Sequence, residues 1–155
     1  MSKSLATWCV IIATNIITAF WLWFFGIFEY VFEMDLTYLT EIISILYVGV
    51  LLYLPFEFSF RQRTIHPYDI YARPYYIANH LPALGLLGTV LGLMFAVNAI
   101  SQMDINVDNP DSIVEMMKQM FQALGTSLIT TIVGIILSLF LKTELMILDA
   151  VFKSE

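Results

Sequence analysis

The stretch LPALGLLGTVLGLMFAVNAI, residues 81–100, is apolar enough to lie in a bilayer, yet it carries Gly85, Gly88 and Gly92 with Thr89 between them. Gly85, Thr89, Gly92 and Ala96 recur at i, i+4, i+7 and i+11, which puts them on one face of a helix. A second apolar run, 121–141, repeats that spacing with Ser127, Thr131, Gly134 and Ser138. If the two runs cross a membrane in opposite directions, Thr89 and Thr131 lie at similar depths, about 12 and 15 Å from the inner edge. Small residues let transmembrane backbones approach closely, and Gly88 with Gly92 forms a G-x-x-x-G pair. A Ser or Thr hydroxyl can also bond to its own helix one turn back. Taken alone, the stripes favour packing over function.

Working outward, the chain has 155 residues, 59% of them hydrophobic, and its mean hydropathy is +0.81. A soluble domain of this length has no interior large enough for so much apolar side chain. The net charge of −6 and the absence of a basic stripe argue against nucleic acid as a partner. The single cysteine, Cys9, excludes an internal disulfide. His66 and His80 share one polar segment with no cysteine near them, so no metal site is expected. No nucleophile–base pair or ligand cluster is visible, so neither an enzyme nor a cofactor is expected.

Four apolar runs, 5–28, 39–58, 81–100 and 121–141, each approach the roughly 20 residues a helix needs to cross the hydrocarbon. The first is too long for a signal peptide and has no small-residue cleavage site, so it reads as a retained helix. The expected fold is all-α, a four-helix integral membrane protein. Its organisation reads as a peripheral helix pair in 1–58, a short basic cytoplasmic loop in 59–80 and an inner helix pair in 81–155. In the last of these, Asn109 and Pro110 read as a helix start, and no breaker follows before about residue 152. One long helix extending beyond the bilayer on both sides is therefore expected. Arg61, Arg63 and Arg73, with Lys3, Lys142 and Lys153, lie on one side of the runs, and the other side is acidic. The positive-inside rule then makes both termini and the 59–80 segment cytoplasmic.

LPALGLLGTVLGLM, followed after an acidic connection by QALGTSLITTIVGIILSLF, resembles the MotA/TolQ/ExbB proton-channel family over about residues 81–140. The resemblance implies a subunit of an inner-membrane motor driven by an ion gradient, most simply of protons. It implies a homopentamer around a dimer of a single-span partner of the ExbD/TolR/MotB type, whose Asp carries the proton. Thr89 and Thr131 would face that partner, with Thr130 and Ser127 completing the ion pathway. Gly85, Gly88, Gly92, Gly134 and Ser138 would form the pore wall. Flagellar-type relatives carry a large cytoplasmic domain where this chain has only the 59–80 segment.

The alternatives are a small four-helix membrane transporter and a non-transporting scaffold. A transporter would want a buried carboxylate of its own in an early helix. The first run offers Asn15 and Thr14 instead, and no charge lies within the third or fourth run. On this reading the ionisable carrier must come from another chain. The basic, aromatic segment 61–76 reads as a strip lying at the inner headgroups.

Overall fold

The computed structural model describes residues 3–35, 37–61, 67–101 and 110–153. They form five helices: α1 (Lys3–Phe24), α2 (Ile27–Met34), α3 (Leu39–Arg61), α4 (Pro67–Ser101) and α5 (Pro110–Lys153). The all-α class holds, but the expected four-helix membrane protein does not.

Two physical causes account for the difference. First, the run 5–28 is not one helix. Gly26 adopts φ 69°, a left-handed conformation that side chains disfavour, and the chain restarts there as α2. A Cβ on Gly26 would meet nothing within 4 Å, so the backbone angle, not space, calls for glycine. Second, only three helical stretches among the described residues are long and apolar enough to cross a membrane: Ala6–Phe24, Tyr71–Asn98 and Ser112–Val151. The apolar part of α3, Leu39–Pro55, is shorter. Those 17 described residues cover about 26 Å, and α3 as a whole, 23 residues or about 34 Å, runs back antiparallel to α1, as the Trp8–Leu51 and Asn15–Tyr47 hydrogen bonds show. The segment between the second and third apolar runs is helical from Pro67 onward, continuous with α4. α5 begins at Pro110 and has 44 residues, about 66 Å of helix. Asn109, which reads as its cap, lies outside the described residues, as do His66, Arg63 and the acidic residues of 102–109.

Contacts set the directions. Asn15 of α1 bonds to Glu144 of α5. The Thr126 hydroxyl of α5 donates to the Met34 carbonyl at the end of α2. The path α1–α2 therefore runs antiparallel to α5, and α1 starts at the end of the bundle where α5 finishes. The apolar core sits towards that end, with Ile43, Leu54, Leu81, Leu141, Leu145 and Leu148 buried between α3, α4 and α5. α1 adds Ile11 and donates a hydrogen bond from Trp8 Nε1 to the Leu51 carbonyl, 3.2 Å. Its other face is exposed and aromatic, with Trp21 stacked on Phe25 and edge-on to Phe24. Such rings suit a headgroup interface.

The turn from α2 to α3 is built on Asp35. One carboxylate oxygen accepts from the Thr37 backbone N–H (2.8 Å) and hydroxyl (2.6 Å). The other accepts from the Thr40 N–H at 2.7 Å, satisfying an orphan donor in the first turn of α3. This holds Tyr38 at φ 57° immediately before the helix. Burial pushes the Asp35 carboxyl up, but the hydrogen bonds from Thr37 and Thr40 outweigh it and hold it below its ordinary 3.8. A depressed carboxyl stabilises the fold above its unfolded value, and that contribution is lost as pH falls through the folded one. Asp35→Ala should therefore cost about 1 kcal/mol at neutral pH. In thermal denaturation of the detergent-solubilised chain, the gap between wild type and variant should close below about pH 4. A gap that persists into acid would contradict this account of the turn.

Candidate functional site: the α4–α5 seam

α4 and α5 pack antiparallel, almost backbone to backbone, along the two small-residue stripes. A Cβ on Gly134 would lie 2.8 Å from the Leu81 carbonyl oxygen and 3.1 Å from the Gly85 Cα. One on Gly85 would lie 3.0 Å from the Thr130 carbonyl oxygen and the Thr131 Cα. One on Gly92 would lie 2.8 Å from the Ser127 Cβ, and one on Gly88 would overlap the Thr130 side chain. Only hydrogen fits at these positions, so the stripes interlock and bring opposite carbonyls within reach of hydroxyls.

Pro82 shows how the backbone is satisfied. Proline has no N–H, so within α4 the Ala78 carbonyl loses its partner one turn ahead. The buried Ser138 hydroxyl of α5 donates to it at 2.7 Å. Ser138, expected to form pore wall, thus closes a gap that Pro82 opens in the neighbouring helix.

At the centre of the seam the Thr89 and Thr131 hydroxyls touch. Thr131 Oγ1 is 3.0 Å from the Gly85 carbonyl oxygen and 3.2 Å from that of Ser127. Thr89 Oγ1 is 3.3 Å from the Ser127 carbonyl oxygen. Each hydroxyl has one proton, so one donates to its mate and the other to a carbonyl. The Ser127 hydroxyl donates back to the Thr89 carbonyl at 3.3 Å. The expected pathway set therefore divides. Thr89 and Thr131 are half-buried and keep an open side, whereas Thr130 and Ser127 are buried inside the seam. Thr130 bonds to carbonyls of its own helix, those of Thr126 at 3.2 Å and Ser127 at 3.1 Å.

Two polar residues went unread in the sequence. Thr126 is buried and ties α5 to α2 through the Met34 carbonyl. Glu144 is buried between α1, α3 and α5, held by Asn15 and Tyr47. It stands three residues beyond the fourth apolar run, where a count of charges inside the runs stops. His80 is exposed and its ring lies tilted against that of Tyr76, with centroids 4.1 Å apart. Among the described residues, no three His, Cys, Asp or Glu side chains gather as a metal site.

The seam lies inside a recognisable segment. Residues 75–151 match the model of the MotA/TolQ/ExbB proton channel family. The match supports membership of that family. It covers just under half of the chain, from the Tyr75 turn of α4 to Val151 near the end of α5. No curated protein and no solved structure matches the chain. A MotA/TolQ/ExbB match, with three membrane-length apolar helices, supports a multi-pass inner-membrane protein with a channel or motor role. Members of that family are non-catalytic, in keeping with the reading of this chain as no enzyme.

The seam makes two measurable demands. Gly134→Ala must push the helices apart against backbone atoms and should destabilise by about 1–3 kcal/mol. Gly49→Ala in α3, where a Cβ meets nothing within 4 Å, should be neutral or stabilise by up to about 1 kcal/mol. Ser138→Ala should cost about 1–3 kcal/mol by leaving the Ala78 carbonyl unsatisfied. Denaturation of the purified chain in mixed micelles measures all three. Equal stability for the two glycine variants would refute the close approach.

Proposed function

We propose that the chain is the channel subunit of an ion-driven motor in the inner membrane. Five copies surround two helices of a single-span partner, and the α4–α5 pairs line the space between. The partner's membrane Asp carries the ion, a proton, and the work is delivered on the outer side through the partner. α1 and α2 lie at the periphery, with their exposed aromatic rings in lipid and headgroups. Both ends of the chain and the segment 59–70 are cytoplasmic, α3 runs back alongside α1 to reach that segment, and the acidic connection 102–109 is outside.

The observation that supports this reading is the Thr89–Thr131 pair. The two hydroxyls lie on opposite helices of the family-matched segment, bond to one another, and remain half open. A hydroxyl can donate to a carboxylate and accept from a carboxylic acid. The pair can therefore orient a passing carboxyl in either protonation state without fixing a charge there. Interhelical bonds of this kind are worth only about 1 kcal/mol in membranes, which suits a contact that must be released.

Thr89→Val and Thr131→Val keep the side-chain volume and remove the hydroxyl. Each should assemble with the partner while ion-driven activity falls at least several-fold. Gly88→Leu should instead block assembly, because its side chain meets Thr130. Full activity in both valine variants would reduce the pair to packing. Orientation is tested separately in a Cys9→Ser background. A cysteine replacing Asn106 should react with an impermeant thiol reagent in intact cells, and one replacing Gln62 should not. The reverse pattern would overturn the orientation. Proton conductance should need the partner and should vanish when the partner's membrane Asp becomes Asn.

A further inference from the structure

Glu144 is the buried acid that this reading does not use. Its residue is 8% exposed, and its Oε2 is buried with no hydrogen-bond partner among the described residues. Its Oε1 lies 2.6 Å from Asn15 Nδ2 of α1 and 3.0 Å from the Tyr47 hydroxyl of α3. Asn15 Nδ2 also donates to the Ile11 carbonyl at 3.0 Å, which fixes the amide with its oxygen towards Tyr47. Tyr47 is the titratable group that faces Glu144, and Asn15 is the neutral one. α4 brings Tyr71 to the same core, beside Asp149, and Lys142 and Asp149 are the other charges on this stretch of α5. Among the described residues no cation comes within ion-pair distance of Glu144.

The protons in this triangle can be assigned. The Tyr47 hydroxyl has one proton and two acceptors, Asn15 Oδ1 at 2.6 Å and Glu144 Oε1 at 3.0 Å. The shorter contact takes it. Two oxygens, Tyr47 Oη and Glu144 Oε1, then face each other at hydrogen-bonding distance with no proton between them. A carboxylic acid at Glu144 supplies one. It also removes the need to bury an unpaired charge whose second oxygen has no donor. Because Oε2 is inaccessible within the single chain, a neighbouring copy cannot supply a cation to it.

We propose that Glu144, with Tyr47 and Asn15, is a proton-binding site built into this chain, separate from the threonine pair. It lies 13 residues along α5 from Thr131, about 20 Å. The proton comes from water and forms one O–H bond at the carboxyl; Tyr47 accepts from it and passes its own hydrogen bond to Asn15. Asn15 and Tyr47 also line a half-open cavity of about 430 Å³ between α1, α3 and α5, so the network has a face towards that space. The site stands independently of the channel reading, because its detection needs neither the partner nor ion flux.

Infrared difference spectroscopy of the full chain in lipid nanodiscs tests it. At neutral pH there should be a carboxylic-acid carbonyl band that moves on ¹³C-glutamate labelling. It should be lost in Glu144→Gln and should shift in Tyr47→Phe, which removes the hydrogen bond to the acid. If Glu144→Gln does not fold, the labelled wild type and Tyr47→Phe decide the matter. Absence of a glutamate-derived acid band at neutral pH, or a band indifferent to the folded variants, would overturn the proposal.

Discussion

The approach of α4 to α5 governs the rest of the structure. Lipid supplies no hydrophobic drive between helices, so association rests on close packing and interhelical hydrogen bonds. Here the two are one device. Glycines at 85, 88, 92 and 134 remove the side chains that would hold the backbones apart. With the backbones close, the hydroxyls of Ser127, Thr131 and Ser138 reach carbonyls of the opposite helix. Pro82 is tolerated inside α4 because one of those hydroxyls, from Ser138, takes up the carbonyl it strands. If the helices moved apart by a methyl group, the cross-helix bonds would lengthen together.

A second polar layer lies nearer the end of α5 and is made differently. The seam joins hydroxyls to carbonyls between consecutive helices. The Glu144 layer gathers side chains from α1, α3 and α5, up to 129 positions apart in sequence. Long-range polar partners inside an apolar bundle fix which face of α1 meets α5, because any other rotation would bury Asn15 and Glu144 without partners. α1 has little else to hold it there, since its membrane-length stretch has almost no buried side chain.

The sequence showed some of this and concealed the rest for definite reasons. The stripes were legible because helical periodicity records which residues share a face, and glycine spacing records close approach. α5 was legible because Pro110 can begin a helix and nothing after it breaks one. The break at Gly26 was not legible. A glycine between phenylalanine and isoleucine leaves the hydropathy of the run unchanged, and its left-handed angle appears only in the backbone. Glu144 was missed because hydropathy treats a charge just beyond an apolar run as its edge. Its burial comes from packing against Asn15, which the sequence offered only as a polar residue of the first run, and Tyr47. Ser138 was placed correctly on the stripe, but its role follows from Pro82, whose missing N–H is a covalent fact readable in the sequence.

The division of polarity also bears on how the chain meets its neighbours. The seam satisfies its own carbonyls and hydroxyls within one chain, so it demands nothing polar from outside. The outward faces of α4 and α5 are aliphatic, with Leu86, Val90 and Val97 exposed on one helix and Leu128, Ile132 and Leu139 on the other. A helix packing there meets apolar side chains, and Thr89 and Thr131 offer hydroxyls with an open side where the two stripes meet. An apolar wall holds a passing helix by dispersion alone, which has no strong directional minimum. A hydroxyl pair set into that wall adds a directional contact at one depth. The small residues keep the pair at that depth by leaving α5 no room to slide along α4 without driving a side chain into backbone.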